Sequence, residues 1–244
     1  MPGPETALVV AVLVIATVIR SAFGFGEALV AVPLLALVMP VQIAAPIAAL
    51  TSVTVAGVVL LQDWSDVHVG SAGRLVLASV AGIPVGLVLL TRLPEAMVKG
   101  GLALVIIAFS LYALATHGKL ELRSDRWAWL FGFCAGVLGG AYAMNGPPLA
   151  IYGALRRWSP QRFRATLQGY FFPASLMVML GYLSAGLWTG AVTRAYLTAL
   201  PFVLVAVVAG RAINRRLTGG HFLRYVHVGL VIAGSVLLAQ VLSA

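Results

Sequence analysis

The chain has 244 residues, 61% of them hydrophobic and only 9% charged, with a formal net charge of +9. A soluble domain carries roughly 25% charged residues, so this composition excludes an ordinary soluble enzyme or binding module and points to a polytopic membrane protein. The basic excess does not point to nucleic acid either, because Lys and Arg are concentrated in short loops between apolar spans, where a cytoplasmic bias is expected.

Taken in chain order, Met1 to Glu5 lacks the basic stretch of a cleaved signal peptide, so the apolar run 6–23 is expected to be a retained span. It carries Arg20 near its end, and a charge at that depth costs roughly 2.5–3.5 kcal/mol unless it faces protein or a watery cavity. Next comes a glycine-centred break, Gly24-Phe25-Gly26-Glu27, and a short apolar segment over 26–39. Longer segments follow at 42–61, 73–91 and 96–116. The polar stretch Thr116 to Arg126 is the only linker of any length.

After the linker the pattern returns. An apolar segment at 127–143 runs into a second break, Met144-Asn145-Gly146-Pro147-Pro148, followed by a short segment at 147–155 and longer ones at 165–187, 191–212 and 223–242. When Gly26 is placed on Gly146, Pro40 falls on Pro160, Gly70 on Gly190 and Arg74 on Arg194. Two membrane halves with interrupted helices are the mark of a transporter whose site lies at the breaks. The organisation expected is therefore a first transmembrane repeat over 1–116, a linker over 117–126 and a second repeat over 127–244.

The two segments after the breaks are short for a span of about 20 residues. Reading each as the continuation of the interrupted helix before it gives an all-α fold of about eight crossings, four per half. Three loops, Arg92 to Lys99, Arg156 to Arg164 and Arg211 to Arg224, then share one side, whereas ten simple crossings would put the Arg92/Lys99 loop opposite the other two. Both termini are expected away from the cytoplasm. An even number of spans per half makes the repeats parallel.

The chemistry follows from residue types at the breaks. A helix broken inside a membrane leaves backbone groups without intrahelical partners, and the free N–H groups at a new helix start attract anions. Arg20, Gly24, Gly26, Asn145, Gly146 and Pro147 are thus candidates for binding a small anionic substrate. Asn145 either binds substrate or caps its helix, and Pro147 suits a first turn, where its missing N–H is not needed. Glu27 is a candidate for carrying a coupling proton, for pairing with Arg20, or for simple charge placement at a helix start. Pro147 stands opposite it in the second half, so the site is expected to be asymmetric.

Thr51 and Ser52, with Thr54 and Gln168, are weaker binding candidates, since membrane-helix hydroxyls commonly bond back to their own helix. Tyr142, Tyr152 and Tyr170 read as packing or interface aromatics. Asp63, Asp66 and His68 read as solvated. Cys134 is the single cysteine, which excludes an intrachain disulfide, and His117, His221 and His227 lack a partner at metal-ligand spacing. No metal or cofactor is expected.

These residues resemble the TauE/SafE sulfite exporter family over nearly the whole chain. The likeness rests on the Gly24 to Gly26 break followed by Val32-Pro33-Leu34-Leu35. It rests also on Gly139-Gly140, Asn145-Gly146-Pro147-Pro148 and, past a basic loop, Arg164-Ala165-Thr166. The resemblance implies a permease of the bacterial cytoplasmic (inner) membrane that exports small sulfur-containing anions such as sulfite or organosulfonates. Its partners would be that anion and the lipid bilayer, with a homodimer as a further expectation.

Two other classes compete. An integral membrane enzyme acting on lipid phosphates would need a phosphate loop and paired glutamates, and a second placed titratable group beside Glu27; the spans show neither. A non-transporting subunit of a membrane complex would show no response to substrate on its own. The expected mechanism is alternating access at paired helix breaks, with Arg20 and exposed amides holding a small oxyanion.

Overall fold

The computed structural model describes residues 4–63, 69–115, 121–122, 124–214 and 221–243. They form α1 (Pro4–Phe23), α2 (Glu27–Ala36), α3 (Val41–Asp63), α4 (Val69–Arg92), α5 (Glu95–Ala115), α6 (Trp127–Tyr142), α7 (Gly146–Leu155), α8 (Pro160–Ser184), α9 (Gly190–Asn214) and α10 (His221–Leu242). No strand occurs among the described residues. Six of these helices, α1, α3, α4, α5, α9 and α10, are long and apolar enough to cross a membrane. Large apolar side chains such as Leu77, Leu104, Val205, Val208 and Ile232 point outward, as lipid rather than water requires. The chain is a multi-pass membrane protein.

Most helices begin before the expected segments, while α2, α5, α6 and α8 end short of theirs. The loop expected over Arg156 to Arg164 is shorter, because α8 already begins at Pro160, where proline's fixed φ suits a first turn. Likewise α5 begins at Glu95, and Lys99 pairs with it one turn on at 3.0 Å.

Helix directions follow from side-chain register. Helices α4 and α6 run the same way, since Gly132 lies against Leu75, Gly136 against Ser79 and Gly140 against Ile83. Helix α8 runs with α4, through Ser79 with Tyr170 and Leu87 with Gly181. It runs against α3, through Ser52 with Ser175 and Gly57 with Phe172. Helices α5 and α10 are antiparallel, with Gly100 beside Val241 and Ile106 beside Gly234. Val18 and Ser21 of α1 meet Gly210 of α9. Because α9 ends at Asn214, just past that contact, α1 can pack along it only by running in the same direction.

These directions correct the expected topology. Helix α7 does not continue α6 across the bundle but doubles back beside it. The Leu122 amide, on the approach to α6, donates to Leu155 O at the end of α7 (2.8 Å). Arg156 pairs with Asp125 at 2.5 Å and donates to Leu122 O at 2.9 Å, and Arg157 reaches Glu121 at 3.7 Å. The linker and the loop after α7 therefore share one end, whereas continuous crossings would have separated them. Helix α2 leads into α3, whose Gln42 reaches Leu90 O near the end of α4. With α1 running like α9, α2 must turn back along α1 too.

Each break is thus the tip of a helical hairpin, and the two hairpins enter from opposite ends. The halves run in opposite senses rather than parallel, and the Arg92/Lys99 loop lies opposite the other two. The physical reason is that a ten-residue apolar helix has the same composition whether it proceeds or returns. Charge agrees with the corrected ends: Arg74, Arg126, Arg156, Arg157, Arg211 and Arg224 gather at one, and Arg92, Lys99 and Arg194 at the other. In the register that places Gly26 on Gly146, the packing of α1 on α9 corresponds to that of α6 on α4. Helices α3 and α8, and α5 and α10, pair with their own counterparts.

Candidate functional site

The first hairpin tip is built by glycines. Gly24 and Gly26 hold φ of 88° and 102°, the left-handed region in which a Cβ is disfavoured. The Gly24 amide donates to Arg20 O at 2.6 Å, closing α1, and Gly26 sits just ahead of α2. No side chain caps α2, and its first amides have no carbonyl one turn back within the helix. Almost every residue of α2 is buried.

The second tip is built differently. Its left-handed residue is Ala143, with φ 55°, and Gly146 takes no positive φ. Ala143 N donates to Gly139 O at 2.8 Å, and Met144 N to Leu138 O at 3.1 Å, an αL-type end to α6. The Tyr182 hydroxyl braces it, accepting from Ala143 N and donating to Gly139 O, both at 3.1 Å. Pro147 lies in the first turn of α7, as expected. Asn145 precedes α7 but makes no side-chain cap, which removes the capping role.

The tips meet. The ring of Phe25 lies 3.6 Å from where a Cβ on Gly146 would be. A small cavity, open on one side, is lined by Arg20, Gly26, Glu27, Ser52, Asn145 and Gly146, with Phe25 and Phe171 as aromatic walls. Ser52 lies midway along α3, and Phe171 and Ser175 near the middle of α8, so the cavity is at the centre of the bundle.

Arg20 organises this space, at only 3% exposure. Its Nη1 donates to Glu27 Oε2 (2.5 Å), to Ser52 Oγ (2.7 Å) and to Ser52 O (3.3 Å), and its guanidinium carbon lies 5.0 Å from the centre of the Phe171 ring. Ser52 Oγ in turn contacts Ser175 Oγ at 3.3 Å. All three bonds fall on one nitrogen. Arg20 Nε and Nη2 and Glu27 Oε1 are buried without a hydrogen-bond partner, and so is Asn145 Nδ2, although the Tyr170 hydroxyl is close enough to interact with the Asn145 side chain. Such atoms are expensive to leave unmet, and here they belong to three residues that line one cavity.

The other sequence candidates separate. Gly24 and Pro147 shape the tips without lining the cavity. Thr51 bonds back to Ile47 O at 2.9 Å and also stays outside the lining. Thr54 turns to Tyr196, whose hydroxyl is 2.6 Å away. Tyr170 is fully buried and bonds to Ser79 Oγ at 2.6 Å. The side chains of Gln168, Asp63 and His221 lie outside the described residues, as do Asp66, His68 and His117. His227 packs edge-on against Phe109. Sequence reasoning missed Phe25, Phe171, Ser175 and Tyr182. The last three sit in α8, where nothing but distance along the chain separates them from ordinary apolar positions.

Compared with known proteins, residues 8–238 match the family model described as Sulfite exporter TauE/SafE. No curated protein and no solved structure matches the chain.

Proposed function

Because the chain belongs to the sulfite exporter TauE/SafE family, we propose that it exports sulfite or organosulfonates through the cavity between its two hairpin tips. The family is one of membrane anion exporters, and the substrate and mechanism are our reading. The observation that carries it is the buried guanidinium of Arg20, whose Nε and Nη2 are free and which shares a cavity with Asn145. The uncapped start of α2 adds positive potential to the same space.

In this reading residues 1–116 and 127–244 are inverted repeats joined by the 117–126 linker, an arrangement found in secondary transporters with a site at the midplane. The arginine-rich end faces the cytoplasm of the bacterial inner membrane, which leaves both termini outside. An oxyanion takes up the free donors of Arg20, one half rocks against the other, and the anion leaves on the far side. Glu27 releases part of its hold on Arg20 as the anion arrives and serves as the coupling proton carrier.

The test is flux of labelled sulfite in proteoliposomes, with and without a pH gradient. Saturable flux that responds to the gradient supports a proton-coupled carrier. Saturable flux indifferent to it removes the coupling role of Glu27. Absence of flux for sulfite, sulfonates and carboxylates overturns the transporter reading.

A further inference from the structure

The cavity is not only a set of donors. Glu27 Oε2 is engaged by Arg20, but Oε1 is buried and bonds to nothing. Thr17 is close enough to interact with that carboxylate, yet its hydroxyl also stays unbonded. One cavity is therefore lined by residues holding unmet donors (Arg20 Nε and Nη2, Asn145 Nδ2) and one unmet carboxylate acceptor. An anion made only of acceptor oxygens satisfies the first group and leaves the second facing its own negative charge. An anion that retains an O–H or N–H satisfies both.

Charge points the same way. The guanidinium of Arg20 is already matched by Glu27 at 2.5 Å, so the pair offers no spare unit of positive charge beyond the partial charge of the α2 start. A dianion would bring two unmatched charges into an apolar surround, which is strongly disfavoured. A monoanion brings one, spread over several oxygens.

We propose that this site selects monoanionic oxyanions that carry their own hydrogen-bond donor, with the oxyanion head on Arg20 and Asn145 and the O–H or N–H on Glu27 Oε1. For sulfite this is the hydrogen-bearing form, and for organosulfonates those with an amino or hydroxyl group near the head. The inference rests on the anion-exporter reading and narrows its substrate class.

Sulfamate and methanesulfonate test it. Both are monoanions of nearly the same shape, with NH2 in one where the other has CH3. Calorimetric titration of the full chain in detergent at neutral pH should show sulfamate binding about tenfold tighter or more, the effect of one bond to a charged acceptor. Asn145→Ala should weaken both and keep their ratio. Equal affinity for the two, with sulfite still bound, overturns the inference but leaves the anion site standing. A preference that disappears in Asn145→Ala also overturns it, because the discriminating acceptor would then be the Asn145 carbonyl. If sulfite fails to bind as well, the exporter reading itself falls.

Discussion

The two hairpins occupy matching places in the bundle but are built from different materials. In the register that sets Gly26 on Gly146, Arg20 falls on Gly140, Phe25 on Asn145 and Glu27 on Pro147. Where the first hairpin buries a guanidinium, the second has a glycine so close to α4 that any Cβ would collide with Ile83 O. Gly82, Gly86, Gly132 and Gly136 continue that contact, each with a neighbouring backbone carbonyl where a Cβ would stand. Small residues spaced in fours let membrane helices approach this closely. The matching contact of α1 on α9 has Gly210 against Val18 O. The α2 start keeps its amides, whereas Pro147 and Pro148 remove two from the α7 start. One hairpin carries the charge chemistry, and the other is anchored as the wall it works against.

The largest effect that sharpens this comparison is one of sidedness. In a Cys134→Ala background, single cysteines at Ser124 and Ser159 should react with an impermeant maleimide from the same side of the membrane, and one at Thr189 only from the other. Labelling of Ser124→Cys and Ser159→Cys from opposite sides would mean that α7 continues α6 after all.

A smaller effect separates anchor from chemistry. Gly140→Ala forces α6 off α4 and should lower stability by about 1–3 kcal/mol, the range for overpacking, seen as a reduced midpoint of thermal unfolding in detergent. Smaller again is the contrast between the two glycines that the repeat aligns. Gly26→Ala must hold φ at 102° and should lose roughly 1–2 kcal/mol. Gly146→Ala, with its Cβ at 3.6 Å from Phe25, should stay within about 0.5 kcal/mol. Equal losses at both would show the tips to be equivalent turns.

Much of this site was legible in the sequence because its parts are anomalies in an apolar background. An arginine near the end of a membrane segment, a glutamate after paired glycines and an asparagine before prolines each demand a reason, and the structure brings all three to one cavity. Other parts carry no such mark. Ser52 faces Arg20 while Thr51 bonds to Ile47 O, because adjacent helix positions differ by about 100° in direction. Phe171 looks like any lipid-facing aromatic until α8 is placed. The sense of α2 and α7 was illegible for a deeper reason: apolar composition fixes burial but not direction. Direction is fixed by long-range pairs such as Arg156 with Asp125.

The central claim is that Arg20, on the charged hairpin, holds the substrate anion. The most direct test is the affinity of purified protein for sulfite in Arg20→Gln, whose shorter neutral amide keeps some hydrogen bonding, with monodispersity checked in parallel. The account predicts a monodisperse variant whose sulfite affinity falls by about tenfold or more, the loss of a charge-assisted contact. A folded Arg20→Gln protein that binds sulfite as tightly as the parent would contradict it.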